Sequence, residues 1–298
     1  MNNQSMIMAM TAQTSIHAGA GQALSVIDLP IQREGHTQHP VVFGSSLKGA
    51  LRYHASQILT NNEDKEVLSA VFGPDTQGAD SNAHAGACMI SDARLLLLPV
   101  RSLNGYFKWV TCPALIRRFL KDCDRAGLSI DTFSLPEITL DQVAVNDSKQ
   151  KTLFLEEFAL TIVNGSELEQ ISKVINQVIG VELPQLREQL AIVNDDMFTY
   201  LSQNSTPVNA HIALDENKTV VKRALWYEET LPPETIMYSL IMCTPSRRIN
   251  IELTAADVAR ILTDKIIPAH NRYLQVGGNE TVGMGWFAIR FTNSSQTA

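Results

Sequence analysis

The chain has 298 residues, of which 45% are hydrophobic and 18% charged, and its formal net charge is −7. That length can bury a sizeable core, the composition is that of an ordinary soluble globule, and no run of about 18 apolar residues is available to span a membrane. The acidic balance argues against a lone nucleic-acid binder, which is usually basic on at least one face, unless the cations cluster locally or the chain works as one unit of a larger assembly.

The N-terminus, MNNQSMIMAM, has no basic region before its apolar residues and does not read as a signal peptide. Residues 5–16 read as an apolar, β-branched strand ending at His17-Ala-Gly-Ala-Gly21. Residues 22–43 have no clean period and contain Pro30, Gly35 and Pro40. Irregular loops beyond about 12–15 residues are uncommon and are usually functional or disordered. Val26, Ile27, Leu29 and Ile31 argue against disorder here. Residues 44–59 form a helix in which Leu47, Leu51, His54 and Ile58 fall on one stripe. Ser45, Lys48 and Arg52 fall on another side, with Gly49 beside them. Ser45 and Ser46 suit an N-cap. A mid-helix glycine costs about 1 kcal/mol relative to alanine, which makes sense if something must approach the helix backbone closely.

A short helix over 64–72 stops at Gly73-Pro74, and 75–86 reads as a small, polar excursion. Residues 87–100 and 106–110 are strands. Thr111 or Cys112 caps a helix to about residue 126, with Pro113 near its first position. Residues 127–152 are loop-rich and 154–160 form a strand. Ser166-Glu-Leu-Glu169 is a capping-box pattern opening a helix with Ile171, Val174, Ile175 and Val178 on one face, and 184–201 continues helically. Residues 208–227 read as a long hairpin turning at 215–218. A buried strand at 236–243 precedes a helix capped by Thr254-Ala-Ala-Asp257, with Val258, Ile261 and Leu262 inward. Strands at 273–276 and 286–291 flank the glycine loop GGNETVGMG, and TNSSQTA is a tail. The pattern is an α+β sandwich with insertions, read as a single domain over 1–298.

The four cysteines, Cys88, Cys112, Cys123 and Cys243, form no CxxC pair and none has zinc-ligand spacing to a histidine. Reduced thiols in the cytoplasm are expected. GSSLKG is not a Walker loop, because its order is wrong. Ser45-Ser-Leu-Lys48 matches the S-x-x-K of serine acyl hydrolases, but Ser91-Asp92 is followed by Ala93 and Lys218-Thr219 by Val220, so the partner motifs are missing. A helix mouth gripping phosphate through backbone N–H groups, Ser45, Ser46 and Lys48 is the other functional reading; a capped helix with solvated cations is the plain one. The loop with Gly277, Gly278, Gly283 and Gly285 opens no helix and so lacks a dinucleotide context; it is either a tight turn or a close approach for a sugar-phosphate backbone. Asp28 is either a local turn residue or a catalytic carboxylate, and alone it is a poor magnesium cage. His17 could exchange protons near neutral pH or make a structural hydrogen bond. Glu228 and Glu229 sit at the hairpin base, either solvated or assisting. Trp226 and Tyr227 either stack on a base or pack the hairpin.

His17-Ala-Gly, Ile27-Asp-Leu-Pro-Ile-Gln-Arg-Glu34, Gly44-Ser-Ser-Leu-Lys-Gly-Ala-Leu-Arg52, Phe72-Gly-Pro-Asp75, Ser91-Asp-Ala-Arg94, Pro99-Val-Arg-Ser102, Trp226-Tyr-Glu-Glu229 and Gly277-Gly-Asn-Glu-Thr-Val-Gly283 occur in that order. Together they resemble the backbone RAMP subunits of type III-B CRISPR effectors, the fourth subunit of the Cmr complex. The resemblance implies an RRM-like, ferredoxin-like palm with a thumb hairpin projecting from 203–235. It implies further copies of the chain stacked with other Cmr subunits along a CRISPR RNA. Ser45, Ser46, Lys48, Gly49 and Arg52, with Gly277, Gly278 and Gly283, would bind guide RNA, which the thumb kinks at intervals. Asp28, in the 22–43 loop, would serve metal-dependent cleavage of single-stranded target RNA with Mg2+ or Mn2+, in antiviral defence. His17, Glu228 and Glu229 would assist as further catalytic residues. Any ion would be completed by RNA. The rivals are a guide-binding scaffold that does not cut and a serine acyl hydrolase at Ser45.

Overall fold

A computed structural model describes residues 3–23, 26–74, 84–131, 133–146 and 150–296. In chain order the strands are β1 (Gln4–Ala12), β2 (Val41–Val42), β3 (Cys88–Ile90), β4 (Ala93–Arg101), β5 (Phe107–Thr111), β6 (Gln142–Val145), β7 (Thr152–Leu155), β8 (Phe158–Asn164), β9 (Leu190–Val193), β10 (Val208–Leu214), β11 (Val220–Glu229), β12 (Ile236–Cys243), β13 (Tyr273–Gln275) and β14 (Trp286–Asn293). The helices are α1 (Gly44–Ile58), α2 (Asn62–Phe72), α3 (Pro113–Arg125), α4 (Leu168–Ile179), α5 (Leu183–Gln189), α6 (Asp195–Asn204) and α7 (Ala255–Arg260), the last continuing as a π-helical segment, Ile261–Ile266.

Strand β1 is apolar without alternation because both of its faces are covered. Met6, Met8 and Met10 pack with Leu47, Leu51 and Ala55 of α1 and with Val258 and Leu262. Ile7 and Ala9 face the other way, into a core with Phe119 of α3, Ile171 and Ile175 of α4, and Tyr238. Helices therefore cover both sides of one sheet. Among the described residues that sheet follows the path β13-β14-β1-β12-β4-β5-β9-β6-β8-β7, with β2 added to β4 and β3 to β12. Its segment β14-β1-β12-β4 is antiparallel throughout. With α1 after β1 and α7 after β12, this is the strand order of a ferredoxin-like palm. Everything between β4 and β12 is insertion on that core.

The hairpin β10–β11 is a separate two-stranded sheet. Asp215 Oδ1 makes its turn by accepting the N–H groups of Asn217 and Thr219, each at 2.9 Å. Ile212, Leu214, Val220 and Leu225 are exposed along it, and the His211 and Trp226 rings stack at 5.5 Å.

Several elements differ from the sequence reading. Residues 184–201 are not one helix: α5 and α6 are separated by β9, whose four residues are buried between β5 and β6. A short, fully apolar run carries no period to separate strand from helix. Residues 127–152 contain β6, and 154–160 is a hairpin, β7–β8, turning through Glu156 at φ 50°. The strand expected over 87–100 breaks at Ser91-Asp92. The Thr254–Asp257 capping box forms with both of its bonds. The Ser166–Glu169 one does not, because α4 starts at Leu168 with Glu167 as an uncapped N-cap. In α1 the buried stripe is Leu47, Leu51 and Ala55. Ile58 is 40% exposed, and His54 donates from Nε2 to the Ile266 carbonyl. Most of the excursion expected at 75–86 lies outside the described residues. No described helix is long and apolar enough to cross a membrane. All four cysteines are free and buried, and burial pushes the Cys123 thiol up to about 12.

Candidate functional site

Beyond β1 the chain reaches His17, which is 8% exposed. Its Nδ1 lies 2.8 Å from the Glu229 carbonyl oxygen. A carbonyl only accepts, so Nδ1 carries a proton, and in the neutral ring Nε2 holds the lone pair. The glycines around this ring are required by packing: a Cβ on Gly19 would sit 2.7 Å from Nε2, and one on Gly277, at φ +96°, 2.4 Å from the His17 oxygen. That oxygen accepts the Gly278 N–H at 2.9 Å. A Cβ on Gly278 would make only ordinary contacts, so packing does not explain that glycine. Gly283 takes φ +85° in open space. Glu228 Oε1 accepts from Asn279 Nδ2 at 2.6 Å and lies 4.0 Å from His17 Nδ1.

The 22–43 loop is fixed because its backbone pairs on both sides. Ala20 N–H donates to Pro30 O at 2.9 Å and Gln32 N–H to Ala18 O at 2.8 Å. On the other side, Leu29 N–H donates to Tyr227 O at 3.1 Å and Glu229 N–H to Leu29 O at 3.0 Å. The loop is thus a ragged strand wedged between the His17 segment and the root of β11. Asp28 is half-exposed at this junction. Its Oδ2 accepts the Tyr227 N–H at 2.8 Å, and its Oδ1 has no hydrogen bond among the described residues.

Glu229 is not a solvated-face residue: it is 2% exposed. Its carboxylate takes Arg33 Nη2 at 2.5 Å, Thr206 Oγ1 at 2.6 Å and Ile31 N–H at 3.1 Å. A buried charge with a cation and two further donors is satisfied, so this carboxylate clamps the loop to the hairpin root. The far end of the loop is anchored on α3 and α6. Glu34 pairs with Arg118 at 2.6 Å; burial raises its pKa, but the Thr37 and Arg118 hydrogen bonds outweigh this and the net shift is downward. His39 bonds Thr199 Oγ1 at 3.1 Å, and its burial holds the imidazole below its ordinary value.

At the mouth of α1 the N-cap is Phe43, and Ser45 and Ser46 lie inside the first turn. The Gly44 N–H is taken by Asp92 Oδ1 at 2.7 Å, an acid 48 residues away. Lys48 Nζ donates to Cys88 O at 3.1 Å, and Arg52 Nη1 to Gly73 O at 2.8 Å and Pro74 O at 3.1 Å. Both heads keep spare donors, but neither extends freely. No hydrogen bond joins Lys48 to Ser45 among the described residues, so the S-x-x-K spacing gives no nucleophile–base pair. Gly49 is exposed, and a Cβ there would meet nothing within 4 Å.

The structure thus gathers His17, Asp28, Glu228, Glu229 and the Gly277–Gly278 turn into one site. Gln32 links it to Ser46: its Nε2 donates to Gly19 O at 3.1 Å and Ser46 Oγ at 3.2 Å, and its Oε1 accepts Phe43 N–H at 2.7 Å. Sequence reasoning missed Gln32, Arg33, Asn279 and Asp92. Each lies inside one of the quoted motifs, Gln32 and Arg33 in IDLPIQRE, Asp92 in SDAR and Asn279 in GGNETVG, but nothing local marked its role. Among the described residues no group of three or more His, Cys, Asp or Glu side chains could hold a metal. Asp28 offers one open oxygen, so these side chains alone do not fit a resident ion.

The model of the RAMP superfamily matches residues 9–288. The CRISPR system Cmr endoribonuclease Cmr4 of Pyrococcus furiosus is 37% identical over 288 residues, covering 95% of this chain and 94% of that protein. The crystal structure of oligomeric Cmr4 from Pyrococcus furiosus matches with a TM-score of 0.75 and 32% identity, covering 97% of this chain and 98% of that one. A chain of the type III-B Cmr-beta complex bound to cognate target RNA shares the fold, with a TM-score of 0.72 and 23% identity over 96% of each chain.

Proposed function

This chain belongs to the RAMP superfamily, in its Cmr4 group, and we propose that it is the guide-holding backbone subunit of a type III-B CRISPR effector and cuts the paired target RNA at regular intervals. The observation that carries this reading is the Asp28 carboxylate, tied by one oxygen to the root of an exposed hairpin and open at the other. Further copies of the chain, other Cmr subunits and the CRISPR RNA are its partners, and the cytoplasm its compartment. The net charge of −7 is compatible because each copy holds a few nucleotides and affinity adds across linked copies.

Guide phosphates rest against α1 at Ser45, Ser46, Lys48, Gly49 and Arg52 and against the turn at Gly277, Gly278 and Gly283. The apolar face of β10–β11 supplies the wedge that unstacks the duplex. A target nucleotide splayed beside that wedge lies at the root of β11, where Asp28 is held. Asp28 Oδ1 takes the proton of the 2′-hydroxyl as a general base. The 2′-oxygen bonds the adjacent phosphorus, the bond from phosphorus to the 5′-oxygen breaks, and the leaving oxygen takes a proton from water. Holding the nucleotide in line lowers the barrier before any proton moves. In the neutral ring, His17 Nε2 is a second acceptor at this site. Glu228 and Glu229 act by holding His17, the glycine turn and the loop. Mg2+ or Mn2+ belongs to the reading only as an ion liganded largely by RNA phosphates; the steps above run through side chains of the chain.

The test is the chemistry of the cut ends in a reconstituted complex. Cleavage should leave a 2′,3′-cyclic phosphate and a 5′-hydroxyl. A target with a single 2′-deoxynucleotide at one cut should stay intact there and be cut elsewhere. A 3′-hydroxyl product, or cutting at the deoxy position, overturns the mechanism. Ser45→Ala, once loaded with guide, should still cut at the same positions, because Ser45 holds guide phosphate and is not a nucleophile.

A further inference from the structure

Gln32 makes three side-chain hydrogen bonds from the 22–43 loop, and no step above uses it. It is 8% exposed. The orientation of its amide follows from its partners: Gly19 O only accepts, so Nε2 faces it, and Phe43 N–H only donates, so Oε1 faces that. Its backbone completes the tie, with Gln32 N–H on Ala18 O at 2.8 Å and Val41 N–H on Gln32 O at 3.0 Å. One carboxamide therefore touches three groups on two segments: the turn after His17, and at the mouth of α1 both the N-cap amide and the Ser46 hydroxyl. Because Ser46 Oγ accepts from Gln32, its own proton is left to donate outward.

We propose that Gln32 is a positioning residue that couples the guide-holding mouth of α1 to the loop presenting Asp28. The proposal rests on the function inferred above. A phosphate seated on the Ser46 hydroxyl fixes that oxygen, the oxygen fixes the Gln32 amide, and the amide fixes the loop four residues beyond Asp28. Gln32 does not touch the reacting atoms, so its loss lowers the rate of the cut more than the affinity for either RNA.

The test uses the reconstituted complex with guide and end-labelled target, read for guide affinity, target affinity and single-turnover cleavage. Gln32→Leu should bind both RNAs within about twofold of wild type and cut slower, on the order of 10- to 100-fold, the range expected for a misplaced catalytic group. Gln32→Glu is the isosteric control if the leucine variant fails to assemble. Its ionised carboxylate still accepts the Phe43 N–H and can accept from the Ser46 hydroxyl, but it faces the Gly19 carbonyl with no donor. Burial beside that carbonyl favours the neutral form, protonation restores the donor to Gly19, and its rate relative to wild type should rise as pH falls. Cutting at the wild-type rate by Gln32→Leu, or by Gln32→Glu at high pH, overturns the proposal, as does a Gln32→Glu deficit that does not change with pH, which marks a merely structural defect. If wild type itself leaves the target uncut while binding it, the proposed function fails instead.

Discussion

Asp28 and Tyr227 are 199 residues apart and joined by one hydrogen bond, from the Tyr227 backbone N–H to the Asp28 carboxylate at 2.8 Å. The acid is thereby fixed to the strand that runs out into the exposed hairpin. The wedge that would unstack RNA and the base that would take the 2′-hydroxyl proton share one support, which the Leu29 backbone bonds to Tyr227 and Glu229 reinforce.

Gly49 tests whether α1 is a seat for RNA. It is exposed in the middle of a 15-residue helix, and nothing in the chain stands where a Cβ would go. Gly49→Ala should stabilise the fold by up to about 1 kcal/mol through helix propensity alone. The same methyl should weaken guide binding. Urea unfolding and filter binding on one preparation check both, and a variant that is more stable and binds equally well removes the reason for a glycine there.

Arg33 and Glu229 form a buried pair. Arg33→Ala strands the carboxylate and should cost on the order of 3–5 kcal/mol. The double variant Arg33→Ala, Glu229→Gln removes the stranded charge and should recover part of that loss. Unfolding midpoints at matched slope read the difference, and a double variant less stable than Arg33→Ala contradicts a charge-pairing role.

His39 makes stability depend on pH. Burial lowers its pKa below the ordinary 6.5, so below that value the unfolded chain binds the proton more readily than the folded one. Stability is therefore full above about pH 6.5 and falls as pH drops toward the lowered pKa of the folded state. His39→Gln should shrink the loss in unfolding free energy between about pH 7.5 and about pH 5.5. An unchanged loss places the titration elsewhere.

The fold was legible in the sequence where its elements are local. The Thr254 capping box, the Asp215 turn and the apolar face of α4 are each set by residues within a few positions. What stayed hidden is non-local. Glu228 and Glu229 look solvated at a hairpin base, yet their partners Asn279 and Arg33 come from opposite ends of the chain. Asp92 caps α1 from 48 residues away, so Ser45 and Ser46 looked like the caps. The 22–43 segment looked irregular because both strands it pairs with lie outside it. Within it, Asp28 was identified by family resemblance, and its tie to Tyr227 could not be seen from either residue.

The most direct measurement is cleavage by a complex carrying Asp28→Asn. Asparagine keeps an oxygen for the Tyr227 N–H, so assembly, guide binding and target binding should match wild type. It is not a base, so cuts at every interval should disappear, a loss of at least about 100-fold given the usual worth of a general base. Regular cuts at the wild-type rate by an assembled Asp28→Asn complex would contradict the assignment of the acid.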